Sequence, residues 1–211
     1  MNRPPVAETI HERRQRADGR RSRDAILDTA ARLATVDGLD GLSIGNLAER
    51  TGMSKSGLYA HFRSKEELQI ATIDRATEIF NVEVLEPAHA RGTGLRLLWA
   101  LSDEFLSHLK RDVFPGGCFF AAVGAEFSGH PGRVKERVVG FTVEWLQELE
   151  AAATQAQAAG ELPSSPDPQQ LVYEVNALLL MGHAAYTTFG DPAFLERSRR
   201  GIERLLGPRP A

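Results

Sequence analysis

The stretch LSIGNLAERTGMSKSGLYAHFRSKEEL, residues 42–68, decides the reading of this chain. It divides into two short helices, Ser43 to Thr51 and Ser54 to His61 or Phe62, separated by Gly52-Met53, with a longer helix opening at Ser64. Ile44, Leu47 and Ala48 follow i, i+3, i+4 and so share one face, with Ala48 small enough for close helix approach. Gly52 can take the positive φ that the turn between the helices requires. Met53, Leu58 and Phe62 complete the packing. Ser43 and Ser54 stand where N-caps belong, and Ser64 with Glu67 three residues on reads as a capping box. Two short capped helices meeting at a tight turn are the demands of a helix-turn-helix.

Towards the N-terminus, Ile26, Leu27, Ala30, Leu33 and Ala34 mark an amphipathic helix that starts near Arg21 and ends at Asp37-Gly38. Residues Met1 to Gly19 mix Pro, Arg and Glu without periodicity, which predicts a flexible basic tail over 1–20. Towards the C-terminus, Leu68, Ala71, Thr72, Ala76, Ile79 and Phe80 give the buried stripe of a fourth helix that runs up to the breaker Pro87. Further helices are predicted at Leu95 to Lys110, Cys118 to Phe127, Pro131 to Ala159, Pro168 to Phe189 and Pro192 to Leu206. No segment alternates with period two, so the fold class is all-α: a three-helix head over 21–66 and a helical body over 67–211.

The 211 residues are 42% hydrophobic, enough to bury a core, and the net charge is −3. That charge is uneven. Residues 1–65 carry +4 and the remainder −7, a basic head on an acidic body, which suits phosphate binding at one end. The single cysteine excludes an internal disulfide framework and fits a reducing compartment. No apolar run approaches the length that spans a bilayer, and the N-terminus lacks a signal peptide's apolar region, so a cytoplasmic location and no membrane partner are expected.

The run from Leu42 to Leu68, with its GLYAHF and SKEEL blocks, resembles the DNA-binding head of the TetR family of regulators. The resemblance implies a homodimer on duplex DNA, two recognition helices reaching successive major grooves of a pseudo-palindromic operator. It implies that Ser54, Lys55, Ser56, Gly57 and Tyr59 lie against bases and phosphates, that His61 and Lys65 clamp phosphate, and that a basic arm precedes the first helix. The residue chemistry agrees at Lys65: its ammonium and the free N–H groups of the turn after Ser64 can address one phosphate together. Ser43 joins this set as the cap of the first short helix. Arg21 and Arg23 are either that arm or solvated charges, and Arg13, Arg14 and Arg16, interleaved with Glu12 and Asp18, read as solvated. The second helix holds no Arg, Asn or Gln for bidentate base contacts, so specificity leans on Lys55, Tyr59 and DNA shape. Gly57 costs a helix interior roughly 1 kcal/mol against Ala; it either brings backbone close to DNA or is a tolerated defect.

Beyond Phe80 the resemblance is architectural. It implies a cavity for a small-molecule effector in the body and a ligand that shifts the fourth helix, spreading the two heads apart. Of the body aromatics, each more often core than contact, Trp99, Phe119 and Trp145 are chosen as lining. Cys118, beside Gly116-Gly117 and opening a helix, is either a sensing thiolate on that cavity or an inert buried thiol. The segment Pro168 to Phe189 is apolar nearly all round and needs cover on every side. Paired with 192–206, it matches the family's four-helix dimer interface.

Rival chemistries find less support. Gly41 to Gly45 fits the G-x-S-x-G nucleophile elbow, but Asp37-Gly38-Leu39-Asp40 cannot be the buried strand that motif follows. Glu104 and His108 are four apart on one helix and read as a surface pair, not a metal site. No cofactor, metal site or catalytic set is expected. The function expected is a repressor released by a small-molecule effector; the alternatives are a small-molecule enzyme and an all-helical interaction protein that uses the helix-turn-helix for packing.

Overall fold

The computed structural model describes residues 10–127, 129 and 131–210, with side chains at residue 19 and from 21 onward; every regular element among them is helical. The head consists of α1 (Ile10–Asp37), α2 (Ile44–Thr51) and α3 (Lys55–His61). The body consists of α4 (Lys65–Phe80), a π-helical turn (Asn81–Leu85), α5 (Glu86–His89), α6 (Gly94–Lys110), α7 (Phe119–Glu126), α8 (Arg133–Ala158), α9 (Pro168–Phe189) and α10 (Ala193–Leu206).

Two boundaries differ from the sequence expectation. First, α1 begins at Ile10, eleven residues before the expected start at Arg21. Glu, Arg, Gln and Ala dominate residues 12–17 and are strong helix formers, and extending an existing helix fixes one residue per added hydrogen bond. The flexible tail expected over 1–20 is therefore helical from residue 10; residues 1–9, and the side chains of Arg13, Arg14 and Arg16, lie outside the described residues. Second, Pro87 does not stop the fourth helix, which widens into the π turn and continues with Pro87 in the first turn of α5. Proline lacks the N–H that an α-helix would direct at the Glu83 carbonyl. The Arg111 guanidinium donates to that carbonyl instead, at 2.7 Å.

Ala30, Ala31 and Ala34 are buried on α1, and such small side chains let it lie close to α4 and α2. Arg75 of α4 donates to Asp28 of α1 at 2.7 Å, which raises its pKa further above the ordinary range. On the body side, α6 is buried nearly all round and packs against α8, α9, α10 and the π turn. Its acids are met by arginines from outside the helix: Asp103 by Arg199 at 3.0 Å and by Arg209, Glu104 by Arg91 and by Arg111 at 3.4 Å. Glu104 and His108 are thus not the expected surface pair; both are buried. Helices α9 and α10 approach closely. A Cβ on Gly182 would sit 2.5 Å from Ser198 Oγ, and that hydroxyl donates to the Leu178 carbonyl at 2.8 Å.

His108 is 1% exposed, packed edge-on to Phe80 and Phe114, and neither ring nitrogen has a hydrogen-bond partner among the described residues. Burial, with the Arg111 charge second, pushes its pKa down from 6.5 to about 4. Burial lowers His183 as well, against a hydrogen bond at Gly116. A histidine held neutral in the fold takes up a proton only on unfolding, so its contribution is intact above pH 6.5 and is lost as pH falls towards 4. Urea unfolding is expected to show a loss of roughly 3 kcal/mol across that window. His108→Phe should flatten the profile, and parallel profiles for the two proteins would contradict this account.

Candidate nucleic-acid interface and effector cavity

The caps of the head form as their residue types require. Ser43 Oγ accepts from Asn46 N–H, Ser54 Oγ from Gly57 N–H and Ser64 Oγ from Glu67 N–H, each at 3.1 Å. Glu67 returns its carboxylate to Arg63 N–H at 3.0 Å. Gly52 takes φ +69° between α2 and α3. Ile44, Leu47, Ala48, Leu58 and Phe62 are buried and fix the angle between the two helices.

That packing leaves Lys55, Ser56 and Tyr59 exposed on α3, with Tyr59 57% accessible and His61 half-buried at the helix end. Ser43 and Ser54 spend their hydroxyls on capping, so they hold the helices more than they address a partner. Gly57 has a local reason: a Cβ there would lie 3.2 Å from the capping Ser54 Oγ. Arg23 lays its guanidinium over the Phe62 ring at 4.9 Å, which ties it to the folded head, while Arg21 is exposed. Lys65 Nζ reaches Asp40 Oδ1 at 2.8 Å. Both side chains are largely solvated, so the pair is weak and a phosphate can compete for the ammonium.

The body holds a cavity of about 570 Å3. Its floor is aromatic: Phe80, Phe105, Phe120, Phe141 and Trp145, with Cys118 beside them. Phe80 meets Phe105, Phe120, Phe141 and Trp145 edge-on, the Trp145 ring 5.4 Å away. The rim is formed by Lys135, Val139, Thr142, Val143 and Leu180. Trp145 Nε1 donates to Asn176 Oδ1 at 3.0 Å, placing one amide on an otherwise apolar wall.

Of the expected lining residues, Trp145 and Cys118 face this cavity and two others do not. Phe119 packs inward against Phe114 and Phe120. Trp99 borders a separate pocket of about 280 Å3, under the Arg209 guanidinium. Phe119 sits one helical position off the cavity face and Trp99 on a different face of α6 from the cavity-lining Phe105, displacements that spacing alone does not reveal. Cys118 is 2% exposed and its thiol is pushed up to about 11 by burial, which favours the inert buried thiol over the sensing thiolate: the apolar surroundings outweigh the two backbone N–H groups of the helix start. Phe80 and Asn176 were missed. The one signal for Asn176 is that it interrupts an apolar helix.

A capped helix-turn-helix joined by one helix to an aromatic cavity defines a DNA-binding regulator. The description "Bacterial regulatory proteins, tetR family" matches residues 26–72 and "Tetracyclin repressor-like, C-terminal domain" matches residues 94–202. The chain belongs to the TetR family of bacterial transcriptional regulators. Among curated relatives it is 25% identical to the transcriptional regulator AcuR of Cereibacter sphaeroides over 65% of this chain and 63% of that protein. It is 28% identical to the HTH-type transcriptional repressor ComR of Escherichia coli over 74% of this chain and 75% of that protein. Among solved structures, a TetR regulator of Chloroflexus aurantiacus superposes with TM-score 0.82 at 24% identity, covering 89% of this chain and 95% of its own. AibR, solved with isovaleryl coenzyme A and operator DNA, superposes with TM-score 0.70 at 23% identity, covering 88% and 98%.

The Lys65–Asp40 pair yields a two-sided expectation for DNA binding. Lys65→Ala should weaken binding to all duplex sequences alike and lower the slope of log affinity on log salt by about one unit. Asp40→Asn, which frees the ammonium, should tighten binding without altering sequence preference. Gel-shift titrations at several salt concentrations decide; a slope unchanged in Lys65→Ala removes that residue from phosphate contact.

Proposed function

We propose that this chain is a cytoplasmic homodimeric repressor that grips a pseudo-palindromic operator and lets go when a small molecule fills the aromatic cavity. The observation that carries the reading is the double role of α4: Lys65 stands in its first turn and Phe80, the centre of the cavity floor, is its last residue. A ligand that displaces the Phe80 ring acts on the rod that carries the head.

Lys55, Ser56 and Tyr59 face the major groove in this reading, His61 and Lys65 hold phosphates on either side of the α3–α4 junction, and Arg21 extends the basic surface. Ser43, Ser54 and Gly57 shape the helices behind them. Dimerisation has its own support. Along α9, Tyr173, Ala177, Leu180, Met181 and Ala184 form an exposed apolar stripe at spacings of a single helix face. Beside it α10 exposes Glu196, Arg197, Arg200, Glu203 and Arg204, charges of both signs that can pair across a two-fold axis. Leu180 belongs to both stripe and cavity rim, so the partner subunit borders the cavity.

A second tie joins cavity and head. Glu126, at the C-terminal end of α7, accepts from Leu39 N–H at 2.8 Å and Asp40 N–H at 2.7 Å, the loop that precedes α2. Gly124 and Ala125, immediately before it, line the cavity. Ligand-driven movement of α7 is therefore delivered through one carboxylate to the loop whose Asp40 holds Lys65.

The test is operator release by a compound selected from a small-molecule panel, measured on wild type and Glu126→Gln. A glutamine replaces one of the two acceptor oxygens by a donor NH2 and removes the charge, so the one-oxygen-per-N–H arrangement is lost. The effector should bind the variant as tightly as wild type, while the ratio of operator affinities without and with effector falls roughly fivefold or more. An unchanged ratio would discard Glu126 as a coupling residue, and a panel that binds the cavity without ever releasing operator would discard the repressor reading.

A further inference from the structure

We infer that the cavity takes neutral carbonyl compounds, an apolar ring or chain whose one acceptor oxygen is met by the Asn176 amide; this rests on reading the cavity as the effector site. The Trp145–Asn176 contact sets the chemistry. An indole N–H can only donate, so the atom that faces Trp145 at 3.0 Å is the amide oxygen. The Trp145 ring is buried, stacked on Phe105 and edge-on to Phe80, so it holds the amide in that orientation. The NH2 at the other side of the amide has no partner among the described residues. Asn176 is half-buried in the cavity wall, which leaves this NH2 as a donor for a ligand oxygen.

The rest of the wall favours a molecule without charge. Among the described residues that line the cavity there is no carboxylate to meet a cation. Lys135 at the rim already has a partner of its own, so it brings no free ammonium to an anion. The Thr142 hydroxyl proton is engaged by the Val138 carbonyl at 3.1 Å, and burial keeps the Cys118 thiol neutral, a weak donor. Phe120 and Phe141 stack directly on each other and, with Phe80, Phe105 and Trp145, make the surrounding surface apolar. A charged group entering such a place gives up its hydration with no free opposite charge to replace it. A carbonyl gives up less, and the Asn176 NH2 restores the hydrogen bond that it had with water.

The experiment uses the full-length protein and equilibrium dialysis with acetylnaphthalene, benzylacetone and undecanone, each beside the hydrocarbon, the carboxylate and the amine of the same body. At least one ketone should bind more tightly than its carboxylate and its amine. Asn176→Leu should weaken that ketone about tenfold, the cost of a carbonyl left without a donor, and leave the hydrocarbon bound as before. Asn176→Asp keeps an acceptor for the Trp145 N–H but has no NH2 to offer. It should weaken the ketone too and bring the amine level with it or above. The inference is overturned if carboxylate or amine matches the ketone in every body, if none of the compounds binds, or if a variant that still binds hydrocarbon holds the ketone as tightly as wild type. Should both variants lose the hydrocarbon, the wild-type order decides. Operator binding followed in parallel separates the two readings. Ketones that bind with this signature yet leave the operator bound uphold the ligand class and remove the effector role. A charged compound that releases operator through the cavity, with no ketone bound as tightly, does the reverse.

Discussion

The edge-on packing of Phe80 is the contact on which the rest of the structure depends. Its ring closes the tip of α4 into the aromatic floor of the body, in contact with Phe105, Phe120, Phe141, Trp145 and His108. Such pairs are worth about 0.5–1.5 kcal/mol each beyond the area they bury. The helix that carries the head is thereby anchored in the place where a ligand would sit. In the proposed reading a change of cavity contents and a change of head position are one event seen from two ends, and by linkage each would bias the other equally.

Head and body are joined along more than one line. Arg75 of α4 binds Asp28 of α1 and Glu126 of α7 holds the loop before α2, while within the body α4 is tied to α8 by Arg137 reaching Asp74 at 2.6 Å and Arg133 reaching Glu66 at 3.4 Å. The ion pairs are half-exposed, individually weak and sensitive to salt. The Glu126 carboxylate differs because both of its partners are backbone N–H groups, so only one side chain in the contact can rotate. A rod fixed by aromatic packing at one end and guided by weak lateral ties can tilt as a unit without unfolding.

The head was legible because local rules determine it. Ser43, Ser54 and Ser64 as caps, Gly52 as the left-handed turn and the Ile44/Leu47/Ala48 face all follow from residue type and spacing, and the structure contains each of them. The body was legible as helices but not as a site. Which face of α7 meets the cavity depends on how it rolls against α8, so Phe119 and Phe120, adjacent in sequence, part company: one is core and the other wall. The same holds for Glu104, which reads as a surface residue until Arg91, from the turn before α6, and Arg111, the C-cap of α6, pair with it. Pro87 misled for a related reason, since the carbonyl it strands is rescued by Arg111, a partner remote in sequence.

The central claim is that the head grips duplex DNA as one of a symmetric pair. Selection of bound duplexes from a random pool by the full-length protein, repeated at low and high salt, tests it most directly. The account predicts enrichment of an inverted repeat whose half-sites present successive major grooves, about one helical turn apart, and recovery that falls steeply as salt rises. A pool with no shared sequence, a single unpaired half-site, or recovery indifferent to salt would contradict it.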